Sequence, residues 1–389
     1  MAEIARDITT DPSSPQRTNP ARSRDQAIDV LRGLCIISMT TAHLAAGSWP
    51  YAAFHVAVLV DGAVGFVLLS GVVLGITQRR TIDRAGLAAG QRRLWRRVGV
   101  IYAANLALCL VAVAVVAGDP VRTTEIFHVG ALGEPGSVTV SLLTMQLNPH
   151  YTSILSLYVV LLLLSAAAVV ALAHRAAWIV VAGSFGLYIA GYLWPAVFTF
   201  PLYPGVAGAV NWATWQPLFM AGLLTGWYWW GPSIRRVLAS RAVLVGCTAL
   251  VLFTATLGWV LTTGSAAPWK SAVALLFTEG KLGPGTIVMA LAAVLVGYRV
   301  CRRLTAIAWR VLSPIARIGR HSLDCYLILS VVVLVLPGIF RYEPAGLVGV
   351  GVTFDILVLM FGWCLLRDWL ARRSDGAPSG SNRLGAERP

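Results

Sequence analysis

The chain returns repeatedly to apolar runs of about 20 residues, the length an α-helix needs to cross the hydrocarbon of a bilayer. Such runs fall near 28–47, 54–77, 98–117, 152–173, 176–194, 212–230, 242–262, 282–298, 321–339 and 345–366. Only 12% of the 389 residues are charged, where a soluble domain carries about twice that share. The expected fold class is therefore all-α: a polytopic membrane protein of about ten transmembrane helices. The stretch before Gln26 is polar and lacks an apolar core, so the first span is expected to be a mature helix rather than a cleavable signal.

A net charge of +14 raises the question of nucleic acid, but the placement of the charge answers it. Alternating the ten spans puts both termini and the even-numbered loops on one side. That side then holds 26 of the 31 Lys and Arg residues; Arg122, Lys270, Lys281 and Arg341 lie opposite, and Arg32 lies within a span. This is the positive-inside bias, which predicts cytoplasmic termini. The polar ends, 1–24 and 374–389, read as disordered cytoplasmic tails around one membrane domain, 25–373. Cys35, Cys109, Cys247, Cys301, Cys325 and Cys364 show neither a paired nor a metal-ligand spacing, so free thiols and no metal site are expected.

Polar residues inside an apolar span are costly, at least about 2.5 kcal/mol for a charge, and default to candidate functional sites. The first span carries Asp29, Arg32, Thr40 and His43. Eleven residues separate Arg32 from His43, which returns them to nearly one helix face about 16 Å apart. Asp29 and Thr40 each lie three residues before one of these, on the same stripe. His43 suits a general base near neutral pH, or an interhelical hydrogen-bonding group. Arg32 stays protonated, so it either pairs with Asp29, binds an anion, stabilises developing negative charge, or snorkels to the inner interface. Asp61, in the outer half of the second span, is placed to orient His43, or simply marks the boundary. Ser70, Gly71 and Gly75 suit close helix contact.

The long external segment 118–149 is expected to form a lid or re-entrant element. The connector 195–211, with Pro195, Pro201 and Pro204, is expected to be non-helical. Glu279 and Lys281 stand in an irregular stretch that is either a polar vestibule or a plain external loop. Basic runs at 79–97 and 299–320 act as topology determinants touching anionic lipid, or receive a phosphorylated donor such as coenzyme A. Trp212, Trp215, Trp227, Trp229 and Trp230 read mainly as an interfacial belt, the outer ones also as sugar-stacking platforms.

Asp29, Arg32, Gly33 and His43 together resemble the Arg-x10-His signature of the acyltransferase-3 family of membrane O-acyltransferases. Within that group the chain resembles the OpgC family of osmoregulated periplasmic glucan succinyltransferases. The similar segments are 25–33, 61–71, 148–158, 215–219, 281–284 and 318–323, in order along the membrane domain. The resemblance implies a ten-span bundle without a tightly bound cofactor. It would carry an acyl group, succinyl or acetyl, from cytosolic acyl-CoA to a hydroxyl of a cell-envelope glycan. By residue match His43 is the base and Arg32 the charge-stabilising or donor-binding partner. Asp29, Arg320, His321 and Lys281 are the further binding candidates, with a helix-start anchor as the other role for Arg320 and His321. One position departs from the pattern: Val64 stands where family members often have an acid. The rival readings are a transporter or flippase for an envelope precursor, and a structural or sensory subunit. Nucleic acid is not an expected partner.

Overall fold

The computed structural model describes residues 24–55, 61–119, 135–149, 153–204, 206–263, 273, 276–277 and 282–375. Asp25 starts the first helix, α1 (Gln26–Leu44), by accepting from the Ala27 amide. The chain continues through α2 (Trp49–Phe54), α3 (Gly62–Gly118), α4 (Pro135–Leu143), α5 (Ser153–Ala173), α6 (Ala177–Leu193) and α7 (Pro195–Phe198). A hairpin of β1 (Thr199–Tyr203) and β2 (Val206–Asn211) leads into α8 (Trp212–Trp227), α9 (Pro232–Ala239) and α10 (Arg241–Thr263). The last four helices are α11 (Pro284–Ile307), α12 (Trp309–Arg320), α13 (Ser322–Ile339) and α14 (Leu347–Asp375).

Six of the described helices are long and apolar enough to cross a membrane: α1, α3, α5, α11, α13 and α14. A seventh span results if α9 and α10, bent by 62°, count as one. Outward-facing Trp178, Phe185, Phe253 and Phe354 are exposed, as suits a lipid-facing surface rather than a watery one.

Within α3 the chain reverses. Gly86 has φ +80° and ψ 169°, a backbone that glycine adopts without steric cost. Beyond it Arg93 Nη1 comes within 3.4 Å of Thr81 Oγ1, whereas a straight helix would separate them by about 18 Å. α3 therefore folds as two arms, 62–85 and 87–118, which hold residues 62–77 of the stretch expected at 54–77 and all of that expected at 98–117. The expected non-helical connector is the β1–β2 hairpin, with the one-turn helix α7 before it. That turn is helical because Pro195 occupies its first position, where a missing N–H goes unnoticed. Asn211 closes the hairpin and caps α8, accepting from the Ala213 and Thr214 amides at 3.1 and 3.2 Å.

α1 is the central helix: 72% of its apolar window is buried, against 22% for α14. Two glycine contacts set the packing around it. A Cβ on Gly33 would overlap the Ile315 carbonyl oxygen, and one on Gly319 would overlap that of Asp29, so the α1 and α12 backbones touch. The first arm of α3 meets α8 likewise through Gly71 and Gly75 against Gly222 and Gly226. This is the facing small-residue geometry that lets membrane helices approach closely, as expected for Gly71 and Gly75. Trp215, Trp227 and Trp229 are 7%, 4% and 8% exposed. They are core residues and not a belt, because this close crossing draws both ends of α8 inward. Trp227 also lies under Arg79, with the guanidinium 5.2 Å from its ring.

Gly71→Ala is expected to lower stability in detergent by about 1–3 kcal/mol through overpacking. Gly99, whose Cβ would meet nothing within 4 Å, is the control. Gly99→Ala is expected to be neutral or stabilising by up to about 1 kcal/mol. Thermal unfolding of the two variants side by side reads the difference.

Candidate functional site

The α1 stripe divides when its side chains are followed outward. Asp29 is gripped by Arg24, whose Nε and Nη2 donate to its two oxygens at 2.6 and 2.9 Å. Arg24 is thus the hydrogen-bonded partner of Asp29, the role that was one of the alternatives for Arg32. Arg24 precedes the helix and reaches up beside the first turn, while Arg32 is turned toward other helices. Thr40 is fully buried and donates to the Ile36 carbonyl at 2.8 Å, so its hydroxyl stays on its own helix.

Arg32 is only 7% exposed, which removes the snorkelling alternative. Its Nη2 donates to Ser322 Oγ at 2.6 Å, at the start of α13. Its Cζ lies 5.7 Å from the Phe66 ring centroid, within the range of a cation–π contact. Its Nε has no hydrogen-bond partner among the described residues. Arg32 lines a cavity of about 20 Å³ with Phe66, Ser70, Arg97, Tyr158 and Tyr326. Among the described residues no acidic one lines this cavity, although two guanidinium groups do. Tyr158 donates to the Phe66 carbonyl at 3.2 Å and meets Phe219 edge-on, with centroids 6.2 Å apart.

A second polar group lies at the far end of α1. His43 is half-buried in the last turn. About a turn and a half below it, His55 Nε2 lies 3.4 Å from Ser38 Oγ, and its ring stacks on Tyr51 at 4.2 Å. Gly62 packs onto Ser38 and the Cys35 carbonyl, which brings Asp61 to the same level. The Asp61 carboxylate accepts from the Val64 amide at 2.8 Å and so caps α3.

A family model described as OpgC protein matches residues 24–372. The chain belongs to the OpgC protein family. No curated protein and no solved structure matches it.

Four of the six segments in which the sequence resembles OpgC proteins meet at Arg32, itself part of 25–33, and a fifth lies one contact further out. Phe66 and Ser70 come from 61–71, Tyr158 from 148–158, Phe219 from 215–219 and Ser322 from 318–323. The segment 148–158 is also tied down by Asn148. That side chain donates to the Met145 and Pro201 carbonyls, each at 2.8 Å, and accepts from Ser156. In this OpgC protein His321 Nε2 lies 2.9 Å from Asp368, which Arg317 also contacts at 3.0 Å. His321 therefore anchors the start of α13 to α14, while Arg320 is exposed. Lys281 and Glu279, with 120–134 of the expected lid, lie outside the described residues.

Arg97, Tyr158, Ser322, His55 and Asp368 did not stand out in the sequence as site residues. Arg97 ends the basic run 79–97, which marks topology or a phosphorylated donor without singling out this residue. Tyr158 and Ser322 lay within segments of resemblance but had no charge to mark them. Among the described residues no group of three or more His, Cys, Asp and Glu is placed to hold a metal, and the six cysteines are free thiols.

Because Asp61 caps α3, Asp61→Ala is expected to cost about 1 kcal/mol of stability. Asp61→Asn keeps an acceptor and is expected to restore most of it. Unfolding midpoints in one detergent distinguish the two.

Proposed function

We propose that this OpgC family member is a multi-pass O-acyltransferase. In this reading it takes an acyl group, succinyl by preference, from cytosolic acyl-CoA to a hydroxyl of a cell-envelope glycan. The family name points to transfer in glucan modification. The observation that carries the reading further is Arg32 and Arg97 lining one buried cavity that has no acidic wall. Two guanidinium groups facing one cavity without a carboxylate are costly, Arg32 most of all because it lies within a span, and a carboxylate or phosphate is the group that compensates them.

The α1 spacing divides the work. His43 and Arg32 stand about 16 Å apart along the axis, and Arg32 is bonded to Ser322. One reacting atom is out of reach of both. The arrangement favours Arg32, with Arg97, as the holder of the donor's anionic part. His43 then serves the acceptor. As base it removes the proton of a glycan hydroxyl while that oxygen attacks the thioester carbonyl. The carbon–sulfur bond breaks, and the departing thiolate takes a proton to leave as the thiol of coenzyme A. The Arg32 cavity as it stands admits about one water, so donor entry includes a turn of Arg97 or Tyr326. Asp61, level with Ser38 and His55, is the carboxylate nearest in kind to an orienting partner for His43. Asp29 and His321 act as anchors beside the site, Arg320 is a donor-contact candidate, and Lys281, on the outer side, is a candidate for binding the acceptor substrate.

The positive-inside bias supports donor entry from the cytoplasm and cytoplasmic termini, in an inner membrane crossed about ten times. Transport of a precursor has a weaker footing. Inverted-repeat transporters carry discontinuous helices in corresponding halves, and among the described residues one bent pair, α9–α10, is present.

At matched expression, His43→Ala is expected to lower glycan acylation by about 100-fold or more, the usual contribution of a general base. Unchanged acyl content in those membranes would overturn the assignment. Arg32→Gln is expected to raise KM for the donor more than it lowers kcat. Competition between labelled succinyl-CoA and acetyl-CoA reads the acyl preference.

A further inference from the structure

A wide cavity lies away from the Arg32 pocket, where α1 begins, α9 packs and α11 ends. Its volume is about 1,090 Å³, and its wall carries Arg235, Arg299, Arg302 and Arg303 over a floor of Trp229 and Tyr298. The acids nearby are committed. Asp29 holds Arg24, and Asp25 caps α1 while accepting from the Tyr298 hydroxyl at 2.9 Å. Among the described residues none of the four wall arginines forms an ion pair with a carboxylate.

The wall and floor are also braced. Arg235 lies 5.7 Å from the Trp230 ring and Arg80 approaches the same ring at 5.4 Å. Trp229 and Tyr298 meet edge-on, with centroids 5.4 Å apart. Past these two rings an apolar chamber of about 210 Å³ opens, lined by Leu69, Val72, Val294 and Leu238. Trp229, Tyr298 and Leu238 belong to both spaces. Topology alone needs arginines on this face but neither a cavity nor an apolar extension behind it. The chamber uses Leu68, Leu69 and Val72 of α3, whereas the Arg32 pocket uses Phe66 and Ser70. The two sites therefore lie on different faces of one helix.

We propose that this vestibule binds a phosphate-bearing ligand whose apolar part enters the chamber behind Trp229. Guanidinium groups recognise phosphate by charge-assisted, often bidentate, hydrogen bonds, and an apolar pocket with few polar groups at its mouth orients a ligand end-on. Two sources share this chemistry: a soluble nucleotide-type phosphate such as that of coenzyme A, and the headgroup of an anionic phospholipid. The inference stands independently of acyl transfer, because it concerns binding alone.

The test uses the full-length protein in phosphatidylcholine nanodiscs. One arm measures equilibrium binding of ADP and of coenzyme A. The other replaces part of the lipid with phosphatidylglycerol and counts retained lipid by native mass spectrometry. The variant Arg299→Gln with Arg302→Gln is compared with Arg92→Gln with Arg96→Gln, which removes the same charge from exposed positions outside the cavity. Loss of binding by about tenfold or more in the first pair, with less than about twofold in the second, is expected in at least one arm. Leu238→Trp, which fills the neck, is expected to weaken coenzyme A or lipid while leaving the unfolding midpoint unchanged. Loss in the nucleotide arm assigns the soluble source, and loss in the lipid arm assigns the headgroup. Equal loss in both double variants, or no binding in either arm, would overturn the proposal.

Discussion

A guanidinium held in the middle of a membrane helix is the constraint around which this chain is arranged. Arg32 needs polar partners where lipid and leucine offer none. The glycine beside it supplies the means. With no side chain on Gly33 or Gly319, the α1 and α12 backbones touch, which sets the α12–α13 joint at the level of Arg32. Ser322, the first residue of α13, can then accept from the guanidinium. The anchoring of His321 to Asp368 holds that joint against α14. A larger residue at either glycine would therefore do more than loosen a crossing, because it would carry the acceptor away from the charge.

Much of the helical architecture was legible in the sequence because apolar runs near 20 residues leave a chain few alternatives. The same holds for Gly71 and Gly75, whose spacing predicts close contact and whose partners turned out to be Gly222 and Gly226. Partner choice was less legible. Asp29 and Arg32 sit three residues apart, yet Arg24, from outside the helix, takes the carboxylate. Periodicity places side chains on a face but does not register a residue that reaches back from beyond the cap. Trp215, Trp227 and Trp229 misled for a related reason: belt and core tryptophans have the same composition, and tertiary packing, the α3–α8 crossing for the first two and Tyr298 for the third, buries these.

The candidate site was half legible. A charge in an apolar run announces itself, so Arg32 and His43 were visible from the residues alone. Arg97 was hidden among arginines that serve topology, and its distinction is spatial. The reversal at Gly86 brings the second arm of α3 back beside the first, which carries Arg97 to the cavity that Arg32 lines. No local pattern marks that outcome, since it depends on one glycine eleven residues earlier.

Arginine has three physical roles in this molecule, which composition merges and position in the fold separates. Arg92 and Arg96 are exposed and cost nothing to hold in water, so orientation in the membrane explains them fully. Arg235, Arg299, Arg302 and Arg303 surround a cavity floored by aromatic rings; orientation explains their sign but not their convergence. Arg32 and Arg97 line a pocket with no acid among the described residues, and orientation does not account for Arg32, which is buried inside an apolar span. The further an arginine retreats from water, the less topology accounts for it and the more a ligand must. By that ordering the pair at Arg32 is the stronger claim on an anion, and the vestibule is the more accessible one.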